Sequence, residues 1–360
     1  MHKFSINRLQ LPLLLPAIIL VILGLSAFYS IDVSIFRQQL FSLVLGLLAY
    51  VLFLNIDIRI FGVFSKYIYI IMLASLILLF LIGIEARGSV RWLDLFGARI
   101  QFSEIFKPFY VIFLAQFLTK DDSKSFSKFI TAFILLAPIF VLTLKQPDLG
   151  TALLFLFTTI FMLFMYGFPI VYFLIIGLCV VIPAPIIYGF LHDYQRERIL
   201  TFIDPTRDPF GSSYNVVQSL ISIGSGGFFG KGFGQATQSI LKFLPERHTD
   251  FIFATITESL GFLGAMFMIV LYGFLLNKIY RIALTVTDSF SNMVIYGLFF
   301  LFLTQTFLNM GMNVGIVPIV GITLPFVSYG GNSLITSFIM LGIISSISFE
   351  HKSNRSLEIA

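Results

Sequence analysis

The sequence predicts an all-α integral membrane protein with about ten transmembrane helices, and three observations lead to that prediction. Hydrophobic residues make up 58% of the 360 residues, whereas soluble domains reach about 45–50% for a similar set. Charged residues stop at 11%, too few to cover a water-facing surface, where about 25% is typical. The apolar residues also form long runs rather than the alternation of a transmembrane β-barrel.

Ten apolar runs are candidates for crossing the membrane, which takes about 20 residues in a helix. The first run follows Lys3 and Arg8; it is too long for a signal-peptide core, so we expect it to be retained. We expect residues 1–360 to form one polytopic membrane domain. The ten runs lie at 11–30, 39–54, 67–84, 104–119, 128–144, 150–167, 170–190, 251–276, 291–309 and 331–348.

Basic residues in the short loops predict the orientation of these helices, because cytoplasmic loops are enriched in Lys and Arg. With the N-terminus inside, the inner segments carry eleven basic residues and the short outer segments carry six. We therefore expect both termini inside, and one large extracellular loop at about 192–249 between helices 7 and 8. The same orientation places segments 85–107 and 145–150 on the outer face.

Ionisable residues collect on that outer face, where burial is costly and function is a reasonable hypothesis. Asp250 opens the eighth span, and Glu258 follows eight residues later on about the same helix face. Lys107 begins the fourth span one turn from Glu104, and Asp148 lies between two spans. The alternative is an interhelical ion pair that fixes packing, and Glu258 could simply pair with a neighbouring helix.

Two features of the long loop each allow two interpretations. Arg196 and Arg198 lie where the apolar spacing predicts a short helix on the membrane surface, and they could bind phosphate or extend to lipid headgroups. The glycine-rich run 224–234 looks like a phosphate loop but fits neither the P-loop nor the GxGxxG spacing. Its amides could still bind an anion, although a tight turn that returns the chain to the bilayer is the simpler interpretation.

Segment 309–331 carries no charge but is interrupted by glycines and prolines. Backbone this irregular is tolerated at membrane depth only where protein buries it or where it lines a cavity. We therefore expect a re-entrant segment over a polar cavity on the outer side. Carboxylates and cations in such a cavity suit chemistry on a lipid-linked phosphate or sugar, or transport of an anionic solute, and composition does not separate the two.

The net charge and the cysteine and histidine content limit the kinds of ligand that the chain is expected to bind. The net charge of +5 in a membrane protein is explained by anionic lipid or an anionic substrate, so nucleic acid is not an expected partner. The single Cys179 cannot form a disulfide within the chain, and the four histidines have no paired metal-ligand spacing.

Four ordered blocks resemble the SEDS family of shape, elongation, division and sporulation proteins, which includes RodA, FtsW and SpoVE. Pro245–Asp250 and the short tails favour the RodA branch over the FtsW branch. Ser259 departs from a frequent second carboxylate, which weakens any claim that a carboxylate pair acts beside Glu258. The four blocks are Arg91-Trp92-Leu93 with Ser103–Lys107, Gln146–Thr151, Leu244–Phe253, and Asn309 with Gly315–Gly331.

The resemblance implies an inverting peptidoglycan glycosyltransferase that polymerises lipid II on the outer face of the bacterial cytoplasmic membrane during elongation. The family's essential aspartate falls on Asp250, which is then the expected catalytic base. The candidates for binding the substrate or its pyrophosphate are Lys107, Arg196, Arg198, Glu104, Asp148 and Glu258. The candidates for shaping the cavity are Trp92, Pro318, Pro325, Ser328, Gly330 and Gly331.

The resemblance also implies partners. These are lipid II, glycan linked to undecaprenyl pyrophosphate, a class B penicillin-binding protein, other elongation-complex proteins and membrane lipids. A divalent cation, Mg²⁺ or Mn²⁺, could share the pyrophosphate with Asp148 or Glu104 as ligands, and no organic cofactor is expected. The alternatives are an FtsW-type septal enzyme, a lipid II flippase and a non-catalytic scaffold.

Overall fold

The computed structural model describes residues 10–86, 89–95, 98–183, 188–189, 196–197, 200, 202, 204, 213–241 and 243–358. Helices dominate the described chain. They are α1 (Leu11–Ile31), α2 (Val33–Leu54), α3 (Ile58–Val63), α4 (Ser65–Ile82), α5 (Phe102–Ile105), α6 (Lys107–Thr119), α7 (Phe126–Lys145), α8 (Leu149–Tyr166), α9 (Ile170–Val181), α10 (Tyr214–Ser225), α11 (Thr237–Ile240), α12 (Ile252–Thr285), α13 (Ser289–Asn313) and α14 (Gly331–Glu358).

Each of the ten predicted spans coincides with a helix, which confirms the all-α membrane fold. In the described part of the chain, seven helices are long and apolar enough to cross a membrane, namely α1, α2, α7, α8, α12, α13 and α14. Two shorter apolar helices, α4 and α9, occupy the third and seventh predicted spans. The fourth predicted span is divided at Phe106 into α5 and the 13-residue α6, which rises only about 20 Å.

A small antiparallel sheet between α4 and α5 is absent from the sequence prediction. Its strands β1 (Ile84–Ala86), β2 (Ser89–Leu95) and β3 (Ala98–Ile100) pair in the order β1-β2-β3. Trp92 on β2 lies opposite Ile84. The strands have three to seven residues, so their alternation is too brief to stand out beside the long apolar runs.

Helices α13 and α14 form the centre of the bundle. In their most apolar windows, 72% and 83% of residues are buried, against 17% in α2. Glycines allow the close packing: a Cβ on Gly46 of α2 would lie 2.6 Å from the ring of Phe338 on α14. A Cβ on Gly342 of α14 would likewise lie 2.8 Å from the carbonyl oxygen of Tyr50.

Segments predicted for the outer face meet at one end of the bundle, which we call the outer end. Asn332 Nδ2 donates to the carbonyl of Arg99 at 2.8 Å, and the Tyr329 amide donates to the carbonyl of His248 at 2.8 Å. The turn between α12 and α13 lies at the opposite end, which we call the inner end. The predicted grouping of the loops is therefore consistent with the fold.

The predicted extracellular loop is partly helical, because its described part includes α10 and α11, which pack on α12. Helix α12 is itself broken at Gly261, whose φ is 69° and ψ is −164°. The glycine-rich run fills this break. The amides of Lys231 and Gly232 donate to the carbonyls of Glu258 and Ser259 at 3.1 and 2.8 Å.

The same run also accepts hydrogen bonds from the second half of α12. The amides of Phe262 and Leu263 donate to the carbonyls of Gly227 and Phe228 at 2.9 and 3.3 Å. In an unbroken helix those two amides would bond to residues four positions earlier. Amides and carbonyls of the run therefore bond to α12, which supports the turn rather than the anion-binding interpretation.

Candidate functional site

Asp250 lies immediately before α12 at the outer end, and its backbone is held from the end of α13. Its carbonyl accepts hydrogen bonds from Asn309 Nδ2 and Asn313 Nδ2, each at 3.0 Å. Its carboxylate faces the irregular segment, because a Cβ added to Gly321 would lie 3.5 Å from Oδ2. Asp250 itself is partly exposed, so a substrate could reach its carboxylate.

The predicted re-entrant segment packs directly on the chain that leads into Asp250. Helix α13 extends to Asn313, so the non-helical part is 314–330 rather than 309–331. Ser328 Oγ donates to the carbonyl of Thr249 at 2.7 Å and accepts from the Leu324 amide at 2.7 Å. Buried segments such as this must satisfy their own backbone groups, and Ser328 does so for both segments.

The other residues predicted to shape the cavity have structural contacts or partial exposure. Pro325 is buried, and its carbonyl accepts from the Tyr272 hydroxyl. The Gly330 amide donates to Gln39 Oε1 at 3.2 Å. The remaining three are partly exposed, and these are Pro318, Gly331 and Trp92.

Asp148 is buried and caps its own helix. Its Oδ1 accepts from the Thr151 amide at 3.1 Å, and its Oδ2 accepts from Gln101 Nε2 at 3.1 Å. The Arg91 guanidinium lies 3.9 Å from Oδ1 and donates to the Gln146 carbonyl at 2.9 Å. Both carboxylate oxygens are therefore engaged by protein groups, and its role toward a substrate stays a prediction.

Lys107 and Glu104 form an ion pair with each other, three residues apart, rather than an interhelical pair, with 2.5 Å between Nζ and Oε1. Lys107 is 1% exposed, which leaves its charge almost fully removed from water. Among the described residues, no hydrogen-bond partner reaches Glu104 Oε2. The pair is placed for packing, and one carboxylate oxygen retains acceptor capacity.

Glu258 is fully buried and organises the loop that fills the α12 break. Its carboxylate accepts from the amides of Gln238 and Ser239 at 2.9 and 3.1 Å, and from Ser239 Oγ at 2.8 Å. Lys231 Nζ lies 3.3 Å from Oε1. These contacts favour the alternative of pairing with a neighbouring element over substrate binding.

Of the two arginines predicted in the long loop to bind phosphate or lipid headgroups, only Arg196 lies within the described residues. Arg196 Nε donates to the carbonyl of Tyr188 at 3.1 Å, and its guanidinium lies 5.8 Å from the Tyr188 ring centroid. A further hydrogen bond from Arg196 reaches the carbonyl of Gly189. Arg198 lies outside the described residues. The structure therefore does not join Arg196 to Lys107, and a phosphate role for either arginine remains a prediction.

Residues 7–353 match the family of cell cycle proteins that groups FtsW, RodA and SpoVE. This chain belongs to that family. Within the family, the peptidoglycan glycosyltransferase MrdB of Escherichia coli K12 is 38% identical over 352 residues, which cover 94% of each chain. Relatives named FtsW and stage V sporulation protein E match as well.

Solved structures agree with the family assignment. A chain from a peptidoglycan synthase complex, in which polymerization and crosslinking are coordinated, superposes with a TM-score of 0.83 at 29% identity. The match covers 94% of this chain and 97% of that one. RodA of Thermus thermophilus superposes with a TM-score of 0.71 at 26% identity, over 95% and 97% of the two chains.

Three residues near Asp250 are absent from the site candidates that the sequence predicts. Asn309 and Asn313 hold the Asp250 carbonyl, as described above. Arg247 is partly buried, and within the described part of the chain its Nε has no hydrogen-bond partner. Burial lowers the pKa of the Arg247 guanidinium, and the charges of Asp32 and Glu246 oppose that shift. Arg247 stands three residues before Asp250, and that proximity was the signal available.

The donors expected for a divalent cation do not fit one in the described part of this family member. No three His, Cys, Asp or Glu side chains lie together there in a way that could hold a metal ion. Asp148 directs both oxygens to protein donors, and Glu104 Oε1 binds Lys107. No step of the reaction is therefore assigned to a metal on these two residues.

Proposed function

We propose that this chain is a peptidoglycan glycosyltransferase that polymerises lipid II on the outer face of the bacterial cytoplasmic membrane during cell elongation. The match to MrdB over 94% of each chain carries the proposal, because a similarity of that length is not confined to one motif. The multi-pass membrane fold supports the proposal, because a lipid-linked sugar is anchored in a membrane.

The reaction joins two lipid-linked sugars. The hydroxyl on C4 of the incoming GlcNAc attacks C1 of the MurNAc that ends the growing glycan. A C1–O bond forms to the acceptor oxygen, and the bond from C1 to the pyrophosphate oxygen breaks with inversion. The acceptor proton goes to a base, and undecaprenyl pyrophosphate leaves with the electron pair of the broken bond.

Asp250 is the proposed base. A sugar hydroxyl is a poor nucleophile near neutral pH, and a positioned base contributes about 10²–10⁴-fold to the rate. Asp250 suits this role because its carboxylate is partly exposed beside Gly321 while its backbone is held by two buried side chains. It lies before α12 rather than within it.

The leaving pyrophosphate gains negative charge, and preplaced cations stabilise it. Lys107, Arg196 and Arg198 are the proposed cations, and Arg247 is a fourth because of its position three residues from Asp250. Lys107 reaches this role only if the pyrophosphate displaces or bridges its contact with Glu104. Confinement of both prenyl chains to the bilayer reduces the entropy that must be lost before the sugars meet.

The proposed partners follow from the same relatives. One structural neighbour belongs to a peptidoglycan synthase complex, which supports a class B penicillin-binding protein as the partner of this chain. Other elongation-complex proteins and membrane lipids complete the proposed surroundings.

The experiment is a lipid II polymerisation assay with purified wild-type chain and Asp250→Asn, with and without the penicillin-binding protein. We expect glycan strands from the wild type and none from a folded Asp250→Asn protein. Normal glycan yield from the variant would remove Asp250 from the mechanism. Headgroup translocation across vesicles without polymer would instead indicate a flippase.

A septal role is the second candidate, because relatives named FtsW also match this chain. Depletion of the protein in its own host distinguishes the two. Round cells are expected for an elongation enzyme, whereas filaments would assign the chain to division.

A further inference from the structure

Helix α13 ends in two asparagines that hold the same backbone atom. Asn309 and Asn313 are one helical turn apart, and both are 0% exposed. Each donates a hydrogen bond from Nδ2 to the Asp250 carbonyl, and both donor–acceptor distances are 3.0 Å. A carbonyl oxygen has two lone pairs, so these two donors satisfy it fully.

Each asparagine also ties Asp250 to a second element. Asn309 Nδ2 donates to the carbonyl of Ile322 at 2.6 Å, next to the Gly321 that faces the Asp250 carboxylate. Asn313 Oδ1 accepts from the Ala254 amide at 3.1 Å. Asp250 is thus fixed between the irregular segment 314–330 and the first turn of α12.

Asn313 supplies the cap that α12 otherwise lacks. The N-cap position is Phe251, whose side chain makes no capping hydrogen bond. An amide at the start of a helix that finds no partner when buried is destabilising, and Asn313 accepts from the amide of Ala254. One side chain therefore serves both the helix start and the Asp250 carbonyl.

We propose that Asn309 and Asn313 are positioning residues for the glycosyl transfer: their hydrogen bonds to the Asp250 carbonyl hold the base in its reactive place. The inference rests on the proposed function of Asp250. Hydrogen bonds from two sides restrain the Asp250 carbonyl and therefore the position of the backbone that carries its carboxylate. A displacement of about 1 Å at a reacting group costs about 10²-fold in rate.

Asn313→Asp separates this role from helix capping. Aspartate caps a helix as well as asparagine does, so the Ala254 amide keeps its acceptor. The donor to the Asp250 carbonyl is lost. A purely structural role predicts normal turnover, whereas a positioning role predicts a lower kcat with little change in KM.

Asn292→Asp is the control for the chemical change, and the unfolding temperature of each variant accounts for the deeper burial of Asn313. Asn292 lies on the same helix at the inner end, and its Nδ2 also donates to two carbonyls, those of Ala283 and Val286. The chemical change is identical, but no reacting group is near. Asn309→Ala is the second variant if Asn313→Asp does not purify as a folded protein, because it introduces no charge, removes a donor to the Asp250 carbonyl and leaves the Asn313 cap on the Ala254 amide in place.

The measurement is steady-state lipid II polymerisation by purified full-length chains with the penicillin-binding protein present. We expect kcat to fall about 10- to 100-fold in Asn313→Asp, with KM changed by less than about threefold. Asn292→Asp should keep kcat within about twofold of the wild type. Asp250→Asn is run in parallel and should be inactive.

The possible results are distinct. If Asp250→Asn is inactive and Asn313→Asp keeps a normal kcat, the positioning role is wrong and the proposed function stands. An equal loss in Asn292→Asp, or a raised KM at normal kcat, would also overturn the positioning role. If Asp250→Asn polymerises normally, the proposed role of Asp250 fails first.

Discussion

Asp148 and Asp250 both stand at the outer end, directly ahead of a membrane-crossing helix, yet their surroundings differ. The carboxylate of Asp148 caps α8 through the Thr151 amide and is almost fully buried. At Asp250 the cap of α12 comes from Asn313 on another helix, and the aspartate is partly exposed. Asp148 therefore caps its own helix, whereas α12, which follows Asp250, is capped by a residue of a neighbouring helix.

This difference indicates how similar positions acquire different roles. A carboxylate that accepts from a first-turn amide and from a glutamine is fixed by those donors, and moving it would leave them unsatisfied. A carboxylate that is not needed as the cap can change its protonation during a reaction without breaking the helix start. The comparison therefore predicts a structural role for Asp148 and supports the catalytic role proposed for Asp250.

The largest effect is expected from paired Asp→Asn substitutions. Asp250→Asn removes a base and should reduce polymerisation by about 10²–10⁴-fold. Asp148→Asn keeps a good helix cap and should retain activity within about threefold. Both are measured in the same lipid II assay with purified protein. Equal losses in the two variants would abolish the distinction between the aspartates.

Two variants test whether the buried Lys107–Glu104 pair has a structural role, as predicted for Asp148, or a role in the reaction, as proposed for Asp250. Lys107→Met leaves Glu104 as an uncompensated buried charge and should destabilise the protein by about 3–5 kcal/mol. The double variant Lys107→Met with Glu104→Gln should recover most of that stability, as measured by thermal unfolding in detergent. An active double variant would show that the pair has a structural role, like Asp148. A folded but inactive double variant would show that Lys107 takes part in the reaction, like Asp250.

Substitutions in the glycine-rich run test whether the outer part of α12, Ile252–Leu260, depends on its contact with that run. A Cβ on Gly230 would lie 2.2 Å from the Ser259 carbonyl oxygen, and the residue has a φ of 81°. Gly230→Ala should therefore destabilise the protein by about 1–3 kcal/mol. It should also reduce activity, because the part of α12 that it disturbs follows Asp250. Gly232→Ala is the control, because its φ is 89° but no atom lies within 4 Å of its Cβ position.

Limited proteolysis and thermal unfolding compare the two glycine variants. A larger loss in Gly230→Ala isolates the effect of close contact from that of backbone strain. Equal losses would mean that the contact with α12 contributes nothing beyond the turn itself.

The smallest effect concerns capping alone. Asp148→Ala removes the acceptor for the Thr151 amide and should cost about 0.5–2 kcal/mol, while Asp148→Asn should cost less. Unfolding temperatures of the two variants give the measurement. A stability of Asp148→Ala equal to the wild type would show that the cap is not needed, and would weaken the structural side of the comparison.

The helices and the acid positions could be predicted from the sequence, because apolar runs and rare charges are local signals. Glu104 and Lys107 are three residues apart, a spacing that allows an ion pair, although both were predicted as substrate-binding candidates. Asp148 directly before a helix also fits the preference for aspartate at the N-cap, whereas the prediction from the sequence is a role in substrate or metal binding. These features depend on a few consecutive residues.

The arrangement around Asp250 could not be predicted in the same way. Asn313 lies 63 positions from Asp250, and nothing local to either residue indicates their contact. In the sequence, Gly261 looks like an ordinary glycine in an apolar run. The helix breaks there because a loop about 30 residues earlier bonds to it, and that contact is not visible locally. The short strands also form only because three segments meet.

The break in α12 has a mechanical consequence. A continuous helix transmits a push or a tilt along its length, but here the bonds across Gly261 run to the glycine-rich run instead. The first nine residues, Ile252–Leu260, are therefore coupled to the outer loop more directly than to the part that crosses the bilayer. A displacement of that loop would reach Ile252–Leu260, and Asp250 just ahead of them, before it reached the part of α12 beyond Gly261.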